Sequence, residues 1–266
     1  MSRESKYAVA IGANLALGGL TGGIGEGLRG GSFWRGFARG AAGGGLVFVG
    51  KEVSAQRFSG AGLLGRELGA VGGSVVNNAA AGRPMFSRIV LPVGPVRLYA
   101  QPGAPDPLRL KLDAAAVVGL AIAATRPGAR LELQASFSSG APVLEYAREP
   151  GSPERAAHQA GVIMMGDDLQ GEERRRALGH ERVHVLQYDF AFLAWSQPVE
   201  AWAAERIPEA GTLYRYVDLG ANAAVFSMLN ALVPRRSSPW EHEAYFLSGT
   251  DAPPPGGAIA GGLPTP

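Results

Sequence analysis

The chain of 266 residues contains no cysteine. This absence excludes disulfides, thiolate nucleophiles and cysteine-ligated zinc or iron–sulfur sites. Any metal must therefore be held by histidine, aspartate or glutamate, and histidine occurs only four times. Charged residues are also scarce, at 18% of the chain against about 25% in average soluble proteins. With 46% hydrophobic residues, the chain is too apolar for general disorder and long enough to bury a core.

The excess of positive charge is small, +2 overall, but it is unevenly distributed. Residues 1–83 carry nine Lys/Arg and four Glu, a net charge of 9 − 4 = +5. The remainder carries sixteen Lys/Arg and nineteen acidic residues, a net charge of 16 − 19 = −3. A basic start of this kind indicates a surface-seeking or membrane-seeking segment. Because its basic residues are singly spaced and not interleaved with aromatic residues, we expect no nucleic-acid partner.

Glycine is concentrated in residues 1–83, which contain 22 of the 39 glycines. Many follow one another at four-residue spacing: Gly19, Gly23, Gly27 and Gly31; Gly36, Gly40 and Gly44; Gly65, Gly69 and Gly73. Small residues at this spacing leave a flat helical stripe on which two backbones approach closely, a packing device common in membranes. The pattern resembles the glycine-zipper segments of bacterial envelope and toxin-associated proteins. It predicts one or more Gly-rich helical hairpins.

The stretch Tyr7–Gly25 lacks charge over 19 residues. A membrane-spanning helix needs about 20 apolar residues, but the glycines, Asn14 and Thr21 make this stretch weakly hydrophobic. A signal peptide is an alternative, since Arg3 and Lys6 precede the apolar run, although no small-x-small cleavage site follows. Packing against the rest of the protein is another. We expect a membrane-associated or cell-envelope location, with a cytoplasmic one left open.

Composition divides the chain into four regions and predicts an α+β fold. Residues 1–83 form the Gly-rich helical segment and residues 84–146 a small antiparallel β-sheet. Residues 147–247 form a helical module, and residues 248–266 a disordered Gly/Pro tail. Period-two alternation predicts three strands in the second region: Val96–Tyr99, Leu108–Leu112 and Leu131–Ala135. The uncharged segment Ala114–Thr125 is expected to be a further, buried strand.

The helical module is predicted to begin with a short buried strand at Gly161–Met165, followed by a helix from about Gln170 to Trp195. Further helices are expected at Val199–Ile207, Leu213–Leu232 and Pro239–Phe246. His158 falls in what reads as a polar loop, and we interpret it as solvated.

The sequence His180-Glu181-Arg182-Val183-His184 carries the clearest chemistry. Residues four apart lie on one face of a helix, so both imidazoles can bind a single ion. Zinc suits neutral imidazole, and its catalytic sites keep one position open for water. Glu181 is placed to accept a proton from that water. Gln187 follows on the same side, where it can hydrogen-bond a ligand or the substrate.

A third protein ligand is available in Ser238-Pro239-Trp240-Glu241-His242-Glu243. Ser238 suits a helix N-cap, and Pro239 the first helical position. Glu241 then occupies the third position, where it would close a capping box with Ser238. This structural task favours Glu243 as the ligand. Glu241 and His242 remain alternatives.

The stretch Gly179–Gln187 resembles the HExxHxxQ form of minimal bacterial gluzincin metallopeptidases, many of which carry a later Glu-x-Glu-Ala segment like Glu241–Ala244. The likeness covers Gly179 to Phe246. It implies peptide-bond hydrolysis of a peptide or protein substrate, with Zn²⁺ on His180, His184 and Glu243 and Glu181 as general base. The alternative is a membrane-inserting or toxin-associated assembly protein whose metal site is structural or vestigial. Four tyrosines are candidate oxyanion donors: Tyr188, Tyr214, Tyr216 and Tyr245.

Overall fold

The computed structural model describes residues 2–149, 155–197, 206–220 and 238–249, together with residues 200 and 203. The described residues form a mixed α and β fold, as the sequence predicts. They contain a π-helical turn, Phe192–Ser196, and eight α-helices: α1 Arg3–Leu28, α2 Phe33–Ser54, α3 Ala61–Ala80, α4 Ala114–Ala124, α5 Leu133–Ser139, α6 Gly171–Ala191, α7 Pro208–Tyr214 and α8 Pro239–Ser248.

Helix α1 packs against α2, and α2 packs against α3, with glycines at both contacts. The contact between α1 and α2 is so close that a Cβ atom on Gly18 would overlap the Gly40 carbonyl oxygen, and one on Gly44 would overlap the Asn14 carbonyl oxygen. A Cβ atom on Gly50 of α2 would lie 2.6 Å from the Gly65 carbonyl oxygen of α3. The glycine spacing therefore corresponds to helix–helix contacts within this chain.

Helix α3 joins this Gly-rich layer to the HExxH helix α6. A Cβ atom on Gly69 would lie 2.8 Å from the side chain of Leu186, and one on Gly73 would lie 2.7 Å from that of Leu193. Only residues without side chains allow this approach, since protein interiors are close-packed. The N-terminal helices consequently pack directly on the elements that carry the motif.

The first sheet has the order β1-β2-β3-β8, formed by Ile89–Val93, Val96–Ala100, Leu108–Asp113 and Val217–Asp218. Strands β1, β2 and β3 are antiparallel, as expected, and β8 pairs parallel to β3, so the sheet is mixed. Its buried face carries Arg97, Tyr99 and Lys111, whereas Leu110 on the other face is 63% exposed.

The second sheet has the order β4-β5-β7-β6, formed by Arg130–Leu131, Val143–Tyr146, Val162–Gly166 and Ala156–Gln159. Strand β7 is fully buried and confirms the predicted strand before the motif helix. Its neighbours are β5, which runs parallel to it, and β6, which is antiparallel. Among the described residues, β6 forms one edge of this sheet.

Two strand predictions are wrong. Ala114–Ala124 is helix α4, whose N-cap Asp113 accepts a hydrogen bond from the Ala116 N–H. An alanine-rich run after a capping aspartate favours a helix more strongly than its lack of charge favours a strand. In the segment Leu131–Ala135, only Leu131 is in a strand, because α5 begins at Leu133.

The C-terminal helices follow the sequence patterns where the structure describes them. Helix α6 and the π-helical turn together cover the helix predicted from Gln170 to Trp195, and α8 covers the one predicted at Pro239–Phe246. The helices predicted at Val199–Ile207 and Leu213–Leu232 fall largely outside the described residues, as does the tail beyond residue 249. Within Leu213–Leu232, Tyr214 ends α7 and Val217–Asp218 is a strand.

Candidate metal centre

The two motif histidines lie one turn apart on α6, facing α8. Their Nε2 atoms are 3.0 Å apart and their ring centroids 4.7 Å apart. Helix α8 packs against this face of α6 through the fully buried Val183 and Ala244, joined by Ala55 at the end of α2. Buried contacts among Ala55, Val183 and Ala244 hold α6 and α8 together, and this packing brings the two imidazoles to face Glu241.

Glu241 completes a group of three ligand atoms. Its Oε2 lies 3.3 Å from the Nε2 of His180 and 3.5 Å from the Nε2 of His184. A tetrahedral zinc ion with bonds of about 2.0–2.1 Å separates its ligand atoms by roughly 3.3–3.4 Å. The three observed separations, 3.0, 3.3 and 3.5 Å, fit such an ion without rearrangement of the backbone. Within the described part of the chain, these are the His and acidic residues grouped closely enough to hold a metal.

Glu243, the preferred third ligand in the sequence, lies in a different cluster. Its carboxylate accepts hydrogen bonds from Lys51 at 2.8 Å, Asn14 at 2.6 Å and Gln187 at 2.9 Å. Burial by itself would raise the pKa of Glu243, but Lys51 and the two amide donors hold it below its ordinary value. This carboxylate is neutralised within the protein, so the geometry favours Glu241 over Glu243 as the metal ligand.

The capping box predicted between Ser238 and Glu241, the reason for preferring Glu243 as the ligand, does not form. Ser238 is the N-cap of α8, but its side chain makes no capping hydrogen bond, and its buried Oγ has no partner among the described residues. Glu241 instead points toward His180 and His184. His242, the other alternative, is exposed and stands outside the group of three.

The protonation of the three groups is linked. Burial by itself lowers the pKa of His184, but the hydrogen bond and charge of Glu241 raise it to about 9. Burial likewise opposes ionisation of Glu241, yet the two histidines hold its pKa far below the ordinary value. A metal that takes the Nε2 lone pair must therefore displace a proton, and its binding is expected to weaken as the pH falls.

Glu181 and Tyr245 are neighbours of the motif histidines. Glu181 is buried on α6, next to His180, and its charge contributes to the raised pKa of His184. The ring of Tyr245 lies 4.4 Å from that of His180, centroid to centroid. Among the candidate oxyanion donors, Tyr188 is already engaged, because its hydroxyl donates to Asp113 at 3.1 Å.

His158 is close to the site, contrary to its interpretation as a solvated loop residue. It lies on β6, and its ring centroid is 6.4 Å from that of His184. Its Nε2 accepts a hydrogen bond from the Gly161 N–H at 2.8 Å, and burial lowers its pKa to about 3. His158 is thus an uncharged side chain that lines the site. A four-residue strand between turns leaves little periodicity by which this position could have been found.

Buried ion pairs anchor the far end of α6. Asp189 accepts hydrogen bonds from Arg66 of α3 at 2.7 Å and from Arg97 of β2 at 3.2 Å. Because Asp189 lies five residues after His184, these pairs fix the axial position of the motif helix. The residue types alone did not indicate this network. Polar residues inside Gly-rich helices, such as Asn14, Lys51 and Arg66, are the available signal, since burying them requires partners.

Comparison with known proteins assigns the chain to no family: no family model matches it, and no curated protein and no solved structure gives a match.

Proposed function

We propose that this protein is a zinc-dependent hydrolase, and specifically a metallopeptidase. The observation that carries the proposal is the convergence of two histidine Nε2 atoms and one Glu241 oxygen within 3.5 Å of one another. Glu181 follows His180 on the same helix. Two nitrogen ligands and one carboxylate oxygen form the ligand set of known catalytic zinc sites in peptidases. A structural zinc site would instead use four protein ligands.

The roles of the residues follow from their positions. When bound to three protein ligands, zinc lowers the pKa of a water molecule in its open position to about 7 and polarises a carbonyl group. Glu181 is the group we assign to accept the proton of the attacking water and to deliver it to the leaving amine. Tyr245, whose ring contacts that of His180, is the residue we assign to donate a hydrogen bond to the oxyanion.

A peptide is the substrate that the surroundings favour. Strand β6 packs beside α6 and pairs only with β7 among the described residues, which leaves its other edge available. An extended peptide can add to such an edge by main-chain hydrogen bonds. His158 on this strand faces His184, so a peptide paired with β6 would pass close to the zinc ligands.

Metal content and turnover of three variants test this proposal. The wild-type protein is expected to bind one zinc ion per chain and to cleave an unstructured protein substrate such as casein. Glu181→Gln should retain the zinc and lose at least about 100-fold in turnover, the usual range for a general base. His184→Ala should lose the zinc, whereas the exposed His242→Ala should keep both zinc and activity. Purified wild-type protein that takes up no zinc would contradict the proposal.

A second candidate function, membrane association, is favoured by the outer face of α1. This helix is long and apolar enough to cross a bilayer, a property that a signal sequence or a core helix can share. No charge lies between Tyr7 and Gly25, and Leu20 and Ile24 are 46% and 53% exposed on the outer face. The inner face is packed on α2. We propose that the outer face rests against lipid while the three helices stay together.

Vesicle flotation tests the membrane proposal. Wild-type protein should float with vesicles of phosphatidylcholine and phosphatidylglycerol, and the double variant Leu20→Glu/Ile24→Glu should float at least about tenfold less, because each charge opposes burial in lipid. Leu110→Glu, an equally exposed change on the first sheet, is the control and should float like wild type. Equal flotation of the double variant and wild type would refute contact through α1.

A further inference from the structure

Gln187 lies between the metal centre and the buried carboxylate of Glu243. Its Oε1 is 2.7 Å from the Nδ1 of His184, and its Nε2 is 2.9 Å from the Oε2 of Glu243. The same Nε2 also donates to the carbonyl oxygen of Trp240 at 3.1 Å. The side chain is buried, so all of its hydrogen bonds are made within the protein. The amide thus connects a metal ligand to a group that is not itself a ligand.

The partners of Gln187 decide which way its amide points. A backbone carbonyl and an ionised carboxylate can only accept hydrogen bonds, so the NH₂ group must face Trp240 and Glu243. The amide oxygen is then the atom that faces His184. Because that oxygen can only accept, the Nδ1 of His184 must carry the hydrogen. When the ring is neutral, the lone pair of His184 is consequently on Nε2, the atom that faces His180 and Glu241.

Glu243 is in turn fixed by the Gly-rich helices. Lys51 of α2 donates to its Oε2 at 2.8 Å, and Asn14 of α1 donates to its Oε1 at 2.6 Å. Lys51 also donates to the Oδ1 of Asn14 at 2.9 Å, which holds the two donors to one another. Close packing at Gly44, whose Cβ would overlap the Asn14 carbonyl oxygen, makes this arrangement possible. The chain of contacts therefore runs from α1 and α2 through Glu243 and Gln187 to His184.

His180 has no comparable support. Its Nδ1 is buried and lacks a hydrogen-bond partner in the part of the chain that the structure describes. Metal-binding histidines usually donate their second N–H to an oriented acceptor, which fixes the tautomer and the ring. Among the described residues that arrangement exists for His184 and not for His180, so control of the metal site is concentrated on one ligand.

We propose that Gln187 and Glu243 are positioning residues that hold His184 as the Nδ1–H tautomer, and that the N-terminal helices thereby form part of the metal centre. This inference rests on the proposed function, because it concerns the same zinc ligands. It assigns to Glu243 a role beyond that of a ligand: a fixed acceptor that orients the Gln187 amide. Residues 1–83 are then required for tight metal binding, whether or not they contact a membrane.

Two variants each remove a different contact in the series that runs from α1 and α2 through Glu243 and Gln187 to His184. Gln187→Leu deletes the acceptor of the His184 Nδ1–H. Lys51 and Gln187 donate to the same Glu243 oxygen, so a glutamine at this position could still accept from both. The double variant Lys51→Met/Glu243→Leu instead deletes the acceptor of the Gln187 NH₂ group without leaving a buried charge unpaired, and the Gln187 amide is no longer fixed by Glu243. Loss of such a supporting hydrogen bond typically lowers metal affinity about 10–100-fold.

The matched control is Gln197→Leu. Gln197 is a buried glutamine that donates to the Tyr99 hydroxyl at 2.6 Å and accepts from Arg88 at 2.7 Å, away from the histidines. Its replacement removes a similar number of hydrogen bonds without touching the site. Any loss of metal affinity that follows from lower stability alone should appear in this variant as well.

Zinc affinity by competition with a chelator and nitrogen-15 NMR of histidine-labelled, zinc-loaded protein provide the readouts. Wild type should show His184 bound through Nε2, with an Nδ1–H that exchanges slowly with water. Gln187→Leu and Lys51→Met/Glu243→Leu should bind zinc about 10–100-fold more weakly and exchange this proton faster, whereas Gln197→Leu should match wild type. Unchanged affinity and exchange in both variants would overturn the inference and leave the zinc site intact. Wild-type protein that binds no zinc would overturn the proposed function and this inference with it.

Discussion

Two carboxylates of α8, two residues apart, meet opposite surroundings. Glu241 faces two imidazoles and carries no lysine or arginine contact among the described ion pairs. Glu243 faces Lys51, Asn14 and Gln187, and its charge is fully matched. The metal ligand is therefore the carboxylate that lacks a permanent cation. Glu243 is paired with Lys51, whereas among the described residues Glu241 can be paired only with a protonated histidine or a metal.

The Glu243 cluster is largely buried and the metal ligands are partly buried, and the two depend on different parts of the chain. The ligands His180, His184 and Glu241 all come from α6 and α8. The Glu243 cluster adds Asn14 and Lys51 from the Gly-rich helices. Changes in α1 or α2 should therefore act on stability and on the orientation of His184, and leave His180 and Glu241 in place.

The largest effect is expected when the Glu243 cluster loses its cation. Lys51→Met leaves a buried carboxylate with amide donors alone, which should lower the free energy of unfolding by about 3–5 kcal/mol. Denaturant unfolding at pH 7 measures this. The double variant Lys51→Met/Glu243→Gln should recover most of the loss, because the buried charge is gone. If the double variant is no more stable than Lys51→Met, the pair does not contribute in this way.

Zinc affinity should rank the two glutamates. Glu241→Gln removes a ligand, so its zinc dissociation constant should rise more than about 100-fold, beyond the 10–100-fold expected of a supporting residue. Glu243→Gln, whose oxygen can still accept from Lys51 and Gln187, should not exceed that smaller range. Titration against a chelating indicator measures both. The opposite ranking would restore Glu243 as the third ligand.

The glycine contact at the Asn14 end of the hairpin gives an intermediate effect. Gly44→Ala places a Cβ against the Asn14 carbonyl oxygen and should cost about 1–3 kcal/mol through overpacking. Gly12→Ala, at an exposed position of α1 where an added Cβ would meet nothing within 4 Å, should instead stabilise the helix by up to about 1 kcal/mol. Thermal or urea unfolding distinguishes them. Similar destabilisation in both would argue against a packed α1–α2 contact.

A third carboxylate, the half-buried Glu67, gives the smallest expected effect. Burial raises the pKa of Glu67 to about 7, and one of its oxygens has no partner among the described residues. A raised carboxyl pKa favours the folded state fully below the unfolded value and loses that contribution as the pH rises through about 7. Glu67→Gln should therefore gain stability relative to wild type between pH 5 and pH 8, by about 1 kcal/mol after solvent screening. Urea unfolding at the two pH values checks this, and an equal difference at both would contradict it.

The sequence predicted the parts of the fold that rest on local signals. The glycine spacing of α1–α3, the apolar run of β7 and the helical motif each depend on residues close together in the chain. The strand predicted at Ala114–Thr125 is instead the helix Ala114–Ala124, because the helix preference of alanine and the cap at Asp113 outweigh the lack of charge. The place of β8 beside β3 pairs residues about 105 apart, which no local pattern encodes.

The site was predictable to the same degree. His180 and His184 follow from helical spacing, but the choice between Glu241 and Glu243 depended on Lys51 and Asn14, which lie far away in the sequence. Local capping logic assigned Glu241 to Ser238, a hydrogen bond that the fold does not make. The approach of α1 and α2 decided the roles of both carboxylates.

The most direct test of the account is a crystal structure of the zinc-loaded protein with anomalous scattering recorded at the zinc edge. We predict a single strong peak within about 2.0–2.2 Å of the Nε2 atoms of His180 and His184 and of a Glu241 oxygen. Glu243 should remain bound to Lys51 and Gln187. A peak bonded to Glu243, or none at the two histidines, would contradict it.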